Sequence, residues 1–116
     1  MKENLVVDKS FAFAIRSVNA YKFLVEEKKE YVLSKQFLRS GTAIGANVEE
    51  AVGGQSRPDF ISKLGIAYKE ARETKYWIRL LQETNYLEKQ HAESLLKDVE
   101  ELLRIIGAIQ ISAKRK

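Results

Sequence analysis

Along most of the chain, apolar residues recur at three- and four-residue steps, the spacing that places them on one side of a helix. Four such tracts stand out, separated by short polar or glycine-bearing breaks. The first is expected from about Asp8 to Lys28, with Phe11, Ala14, Val18, Tyr21 and Val25 inward and Asp8 placed to cap it. The run Glu26 to Glu30 reads as a solvated connection. A second helix is expected from about Tyr31 to Val52, stopped by Gly53-Gly54 as a left-handed terminator. Its inward stripe is Leu33, Phe37, Ser40, Gly41, Ile44, Asn47, Val48 and Ala51.

The third tract opens on Ser56-Arg57-Pro58-Asp59, where Ser56 can cap and Pro58 is tolerated in the first turn. Its stripe is Phe60, Leu64, Ala67, Ala71, Thr74, Ile78 and Leu81, ending near Thr84-Asn85 with Asn85 suited to a left-handed cap. The fourth runs from about Glu88 to the C-terminus, with Ala92, Leu95, Leu96, Val99, Leu102, Leu103, Ile106 and Ile109 inward. Four helices joined by short turns predict an all-α fold, an antiparallel up-and-down four-helix bundle forming a single domain over residues 1–116.

The second tract is unusual because small or polar residues interrupt its stripe. A helical glycine costs up to about 1 kcal/mol relative to alanine, so Gly41 and Gly45 call for close approach of a neighbouring helix. Ala43 and Ala46, flanked by Arg39 and Glu50, form a second small-residue face that suits another subunit.

Composition narrows the function classes. At 116 residues the chain can build one core, and its 45% hydrophobic and 31% charged shares are those of an ordinary globular protein. No apolar run is long enough for a membrane span, and the N-terminus lacks the apolar stretch of a signal peptide. With no Cys, thiolate metal sites and cysteine nucleophiles are excluded, and a cytoplasmic protein is expected. The net charge of +4 leans mildly toward polyanions.

Candidate chemistry concentrates on the third helix. Tyr68, Arg72, Lys75 and Arg79 follow at i, i+4, i+7 and i+11, one face carrying an aromatic ring and three cations, with Arg57 and Ile61 near the same line. Such a face suits phosphate contact and base stacking. The more ordinary reading is a solvated face, Arg79 and Glu83 being spaced for an ion pair. Lys114, Arg115 and Lys116 add charge that a helix C-terminus favours in any case.

Ile66, Glu70, Glu73 and Trp77 share another side, where two carboxylates beside an indole read either as an acid–base pair or as an interface contact, with Arg39 a candidate partner for Glu70. Ser40 and Asn47 read as buried polar groups needing partners. His91, the only histidine, is expected at the surface; no metal motif, cofactor motif or nucleophile triad is present. No catalytic residue, metal or cofactor is therefore expected.

The segments Ser40–Ala51 (SGTAIGANVEEA) and Lys69–Trp77 (KEARETKYW) resemble the four-helix-bundle family of 23S rRNA intervening-sequence proteins, and the resemblance extends over essentially the whole chain in helix order. Pro58 departs from the family's pattern at a helix start. The resemblance implies a bacterial, cytoplasmic, non-enzymatic protein inclined to cyclic homo-oligomers such as pentamers. It also implies kinship to the accessory variability protein of diversity-generating retroelements, which works with a reverse transcriptase and binds nucleic acid. Carried over by position, Arg72, Lys75 and Arg79 become candidate nucleic-acid contacts. Arg39, Asn47, Glu50, Glu70 and Trp77 become candidate structural or oligomer contacts.

The expected partners are thus other copies of the chain, RNA or DNA, and a ribonucleoprotein or reverse-transcriptase-like protein, with no membrane. The competing reading is a protein-interaction scaffold that docks a partner on Tyr68 and Tyr76 and has no specific nucleic-acid role.

Overall fold

The computed structural model describes residues 2–115, which form four helices and no strand: α1 (Lys2–Glu26), α2 (Leu33–Val52), α3 (Arg57–Glu83) and α4 (Lys89–Lys114). They pack as an antiparallel four-helix bundle of 47 × 20 × 19 Å. Each helix packs against its neighbours in sequence, α4 closes against α1, and the diagonal pairs share only core side chains, their backbones staying further apart. Direction follows from the pairs that touch: Lys63 meets Glu50 while the later Glu70 meets the earlier Arg39. The core is one cluster in which Phe13, Leu24, Phe37, Ile44, Leu64, Ile78, Leu95 and Ile106 are essentially inaccessible to water.

α3 and α4 follow their sequence stripes closely. Ser56 caps α3, its hydroxyl accepting from Asp59 N at 3.2 Å. The chain leaves α3 through Asn85 with φ 70°, the left-handed conformation its short polar side chain tolerates. Among the inward set of α4, Leu96 and Leu103 are only partly buried.

α1 departs from expectation. It begins at Lys2 and passes straight through Asp8, which caps nothing, because buried Val6 extends the core stripe by a further turn. That stripe is Val6, Ser10, Phe13, Ser17, Ala20 and Leu24, while Phe11 is 62% and Val18 37% exposed. The serines sit inside because α2 comes very close. A Cβ on Gly45 would lie 3.1 Å from the Ser10 carbonyl oxygen, and one on Gly41 would meet the Ser17 side chain. Only hydroxyls satisfied by their own helix fit there: Ser10 donates to Val7 O at 3.2 Å and Ser17 to Phe13 O at 2.9 Å.

The α1–α2 connection is also not a simple solvated turn. Glu30 is 8% exposed and its carboxylate accepts from the backbone N–H of Val32, Leu33 and Ser34 at 3.2, 3.0 and 2.6 Å. It thereby satisfies donors at the start of α2, which begins at Leu33 rather than Tyr31. At the other end of α2, Gly53 has φ −83°, so no left-handed glycine terminates the helix. Its N–H bonds Glu49 O at 3.1 Å, and the last turn closes with ordinary backbone geometry.

Candidate nucleic-acid interface

Tyr68, Arg72, Lys75 and Arg79 project from one side of α3 beside α4, where with Tyr76 and Leu103 they line a groove of about 460 Å³. Arg72 and Arg79 are exposed and have no ion-pair partner among the described residues; the Arg79–Glu83 pair suggested by spacing does not form. Lys75 is engaged, its Nζ 3.2 Å from Glu100 Oε2 on α4. Tyr68 is half-buried and packs against the core, its ring facing the bare backbone of Gly107.

Behind the groove, α2 and α3 are tied by a charged network. The Arg39 guanidinium donates to both Glu70 oxygens at 3.2 and 3.1 Å and to Glu73 Oε2 at 2.6 Å. Trp77 Nε1 donates to that same Glu73 oxygen at 2.9 Å. The indole and guanidinium bonds hold the Glu73 carboxyl below the usual carboxylate range, so it is an anchored anion and not a proton carrier near neutral pH. The two carboxylates similarly hold the Arg39 guanidinium firmly protonated. Tyr76 leans on Trp77 edge to face, centroids 5.0 Å apart and planes at 75°.

The other singled-out residues are placed as follows. Glu50 pairs with Lys63 at 3.1 Å, and Asn47 Nδ2 donates to Ala43 O of its own helix at 2.8 Å. Ser40 is buried, accepting from Thr74 Oγ1 at 2.8 Å, with its own hydroxyl on Phe37 O. Lys114 and Arg115 lie at the end of α4 beside Arg57, which donates to Ala113 O at 3.2 Å. That end is fifteen residues along α3 from Arg72, roughly 20 Å at 1.5 Å per residue, so the structure does not bring the C-terminal cations into the groove. Lys116 lies outside the described residues.

His91 lies half-buried at the surface and meets Phe23 edge on, ring centroids 6.1 Å apart. Burial, assisted by Arg16, pushes its pKa below the ordinary value. Among the described residues no three His, Asp or Glu side chains converge as metal ligands. Nor is any helix among them long and apolar enough to cross a membrane.

A family model described as 23S rRNA-intervening sequence protein matches residues 2–108. The chain belongs to that family. A crystal structure of a protein of unknown function from the S23 ribosomal protein family of Bacteroides thetaiotaomicron is 55% identical, covering 95% of this chain and 98% of that one, with a TM-score of 0.94. No curated protein matches. Neither description assigns this intervening-sequence family an enzymatic reaction.

The reading of α3 from spacing placed four of the six groove residues. It missed Leu103 and the Glu100 partner of Lys75, because the register of α4 against α3 leaves no trace in either helix alone. Tyr76 was visible only as a candidate for docking a protein. Its neighbour Trp77, fixed by Glu73, is the signal that its ring is held in place.

Proposed function

We propose that this protein is a non-enzymatic, cytoplasmic bundle that associates with copies of itself and binds RNA or DNA through the basic face of α3. The observation that carries this reading is the groove in which two exposed arginines have no ion-pair partner among the described residues and stand beside two tyrosines. An arginine with no carboxylate to neutralise it is available to a phosphate, and its planar fork matches two phosphate oxygens. Lys75, held by Glu100, contributes less than its position on the face suggests.

Self-association is supported by α1. Phe11, Ile15 and Val18, at 62, 50 and 37% exposure, form an apolar stripe outside this chain's core, with Asp8 and Lys22 at its opposite ends. Opposite charges at the two ends give a second copy a complementary way to cover the stripe, which a uniformly negative phosphate backbone does not share.

The test is fluorescence anisotropy of labelled RNA and DNA across a salt titration, comparing wild type with Arg72→Gln/Arg79→Gln. Phosphate contacts make log K fall linearly with log salt, by about 0.7 to 0.9 per contact per bound copy, so the double variant should bind more weakly with a shallower slope. Unchanged affinity and slope in that variant would remove α3 as the binding face.

A further inference from the structure

We infer that the α3–α4 groove is a seat for unpaired nucleotides, so that it selects single-stranded over duplex nucleic acid. The inference rests on the polyanion reading above but adds what charge alone does not require. Attraction to phosphate needs neither a concavity nor aromatic rings, and this surface has both: a groove of about 460 Å³ with apolar Leu103 and tyrosines at Tyr68 and Tyr76.

Tyr76 is the ring offered to a ligand. It is 54% exposed, so a face of its ring is open to solvent. It is nonetheless held: its edge-to-face contact is with Trp77, whose N–H is bound by Glu73, itself gripped by Arg39. A ring fixed in advance loses little freedom when a base stacks on it. Tyr68 forms a second wall. Its ring packs beside Gly107 of α4 and is half-buried against the core.

The spacing argues for a strand running along α3. Tyr68 and Tyr76 are eight residues apart, about 12 Å along the axis. A base held between two rings needs only about 7 Å, twice the 3.4 Å stacking rise. The two rings therefore receive different bases, with Arg72 between them and Arg79 beyond Tyr76 for the phosphates. In a duplex every base face is already covered by its neighbours, and a rim tyrosine meets only sugar and phosphate. The tyrosines thus reward an unpaired strand, whereas the arginines attract either form.

The experiment measures anisotropy at one salt concentration with three fluorescein-labelled probes: a dodecameric deoxythymidine strand, an abasic strand of equal length, and a duplex dodecamer. Wild type should bind the thymidine strand about 5- to 100-fold more tightly than the abasic strand. Tyr76→Ala should shrink that difference to what Tyr68 alone supplies and leave duplex binding unchanged, while Tyr76→Phe should retain it in full. Equal binding of the thymidine and abasic strands by wild type, or an equal loss for strand and duplex in Tyr76→Ala, overturns the stacking seat and leaves the polyanion reading standing. Failure of that broader reading shows differently, as affinity for all three probes unaffected by Arg72→Gln/Arg79→Gln. The wild-type comparison decides the matter even if the alanine variant does not fold.

Discussion

Four helical glycines show how one residue type takes opposite roles according to what faces it. Gly45 opposes the Ser10 carbonyl at 3.1 Å and Gly41 the Ser17 side chain, whose Cβ would stand 3.0 Å from an added methyl. Neither neighbour can swing aside, the first being backbone and the second a side chain bound to its own helix. Gly65 faces only the end of Gln110 at 3.4 Å, and Gly107 the Tyr68 ring at an ordinary 3.6 Å. Alanine should therefore change stability with opposite signs at the two pairs. Gly45→Ala should destabilise by about 1–3 kcal/mol through overpacking. Gly107→Ala should stabilise by up to about 1 kcal/mol, the backbone entropy that glycine costs a helix. Urea denaturation midpoints of the four alanine variants check this, and a loss at Gly107 equal to that at Gly45 would contradict the packing described.

At the scale of an element, the start of α2 depends on a carboxylate outside the helix. Burial pushes the Glu30 carboxyl up, but hydrogen bonds from Leu33, Ser34 and Val32 outweigh that and hold it below the usual carboxylate range. A carboxyl whose folded pKa lies below its unfolded value of about 4.3 contributes its stability above that value and loses it as pH falls through the folded one. Glu30→Gln should thus be less stable than wild type at neutral pH, by about 0.5–2 kcal/mol as for other lost caps. The gap should close in strong acid. Urea melts of both proteins from pH 7 downward measure it, and a gap independent of pH would mean that the charge plays no part.

What the sequence disclosed also divides by element. α3 and α4 each carry one apolar stripe, so periodicity sufficed. α1 carries two: one led by Phe11 and Val18, the other by Val6, Phe13 and Leu24 but interrupted by Ser10 and Ser17. The interrupted one is the core, a choice settled by Gly41 and Gly45 on another helix and invisible in α1 alone. Glu30 was hidden for a similar reason, since a carboxylate in a run of charges reveals its burial only once the turn brings it over the α2 amides. The cationic line of α3 was legible because all its members lie on one helix. The groove was not, because its far wall at Leu103, and the Glu100 that engages Lys75, come from α4.

For the whole molecule, the two open arginines and the exposed α1 stripe belong to one argument. Two phosphate contacts per bundle give little affinity at physiological salt, and the net charge of +4 adds only mild attraction. Joining several bundles through α1 would repeat the groove on one particle, and tethered contacts can raise affinity by about 10² to 10⁴ without any new contact. The same substitution can test both halves. Ile15 is half exposed and makes no part of the buried core, so Ile15→Glu should leave the helical content of each bundle unchanged, while loss of assembly lowers the thermal midpoint to a value independent of protein concentration. Light scattering after size exclusion should give wild type as a multiple of 13.3 kDa, five being one candidate number, and Ile15→Glu as the single chain. If assembly supplies the affinity, the same variant should bind a long RNA far more weakly than wild type while a dodecamer that reaches only one groove is bound equally by both. A wild type that runs as a single chain at micromolar concentration would sever the stripe from binding and leave each groove to act alone.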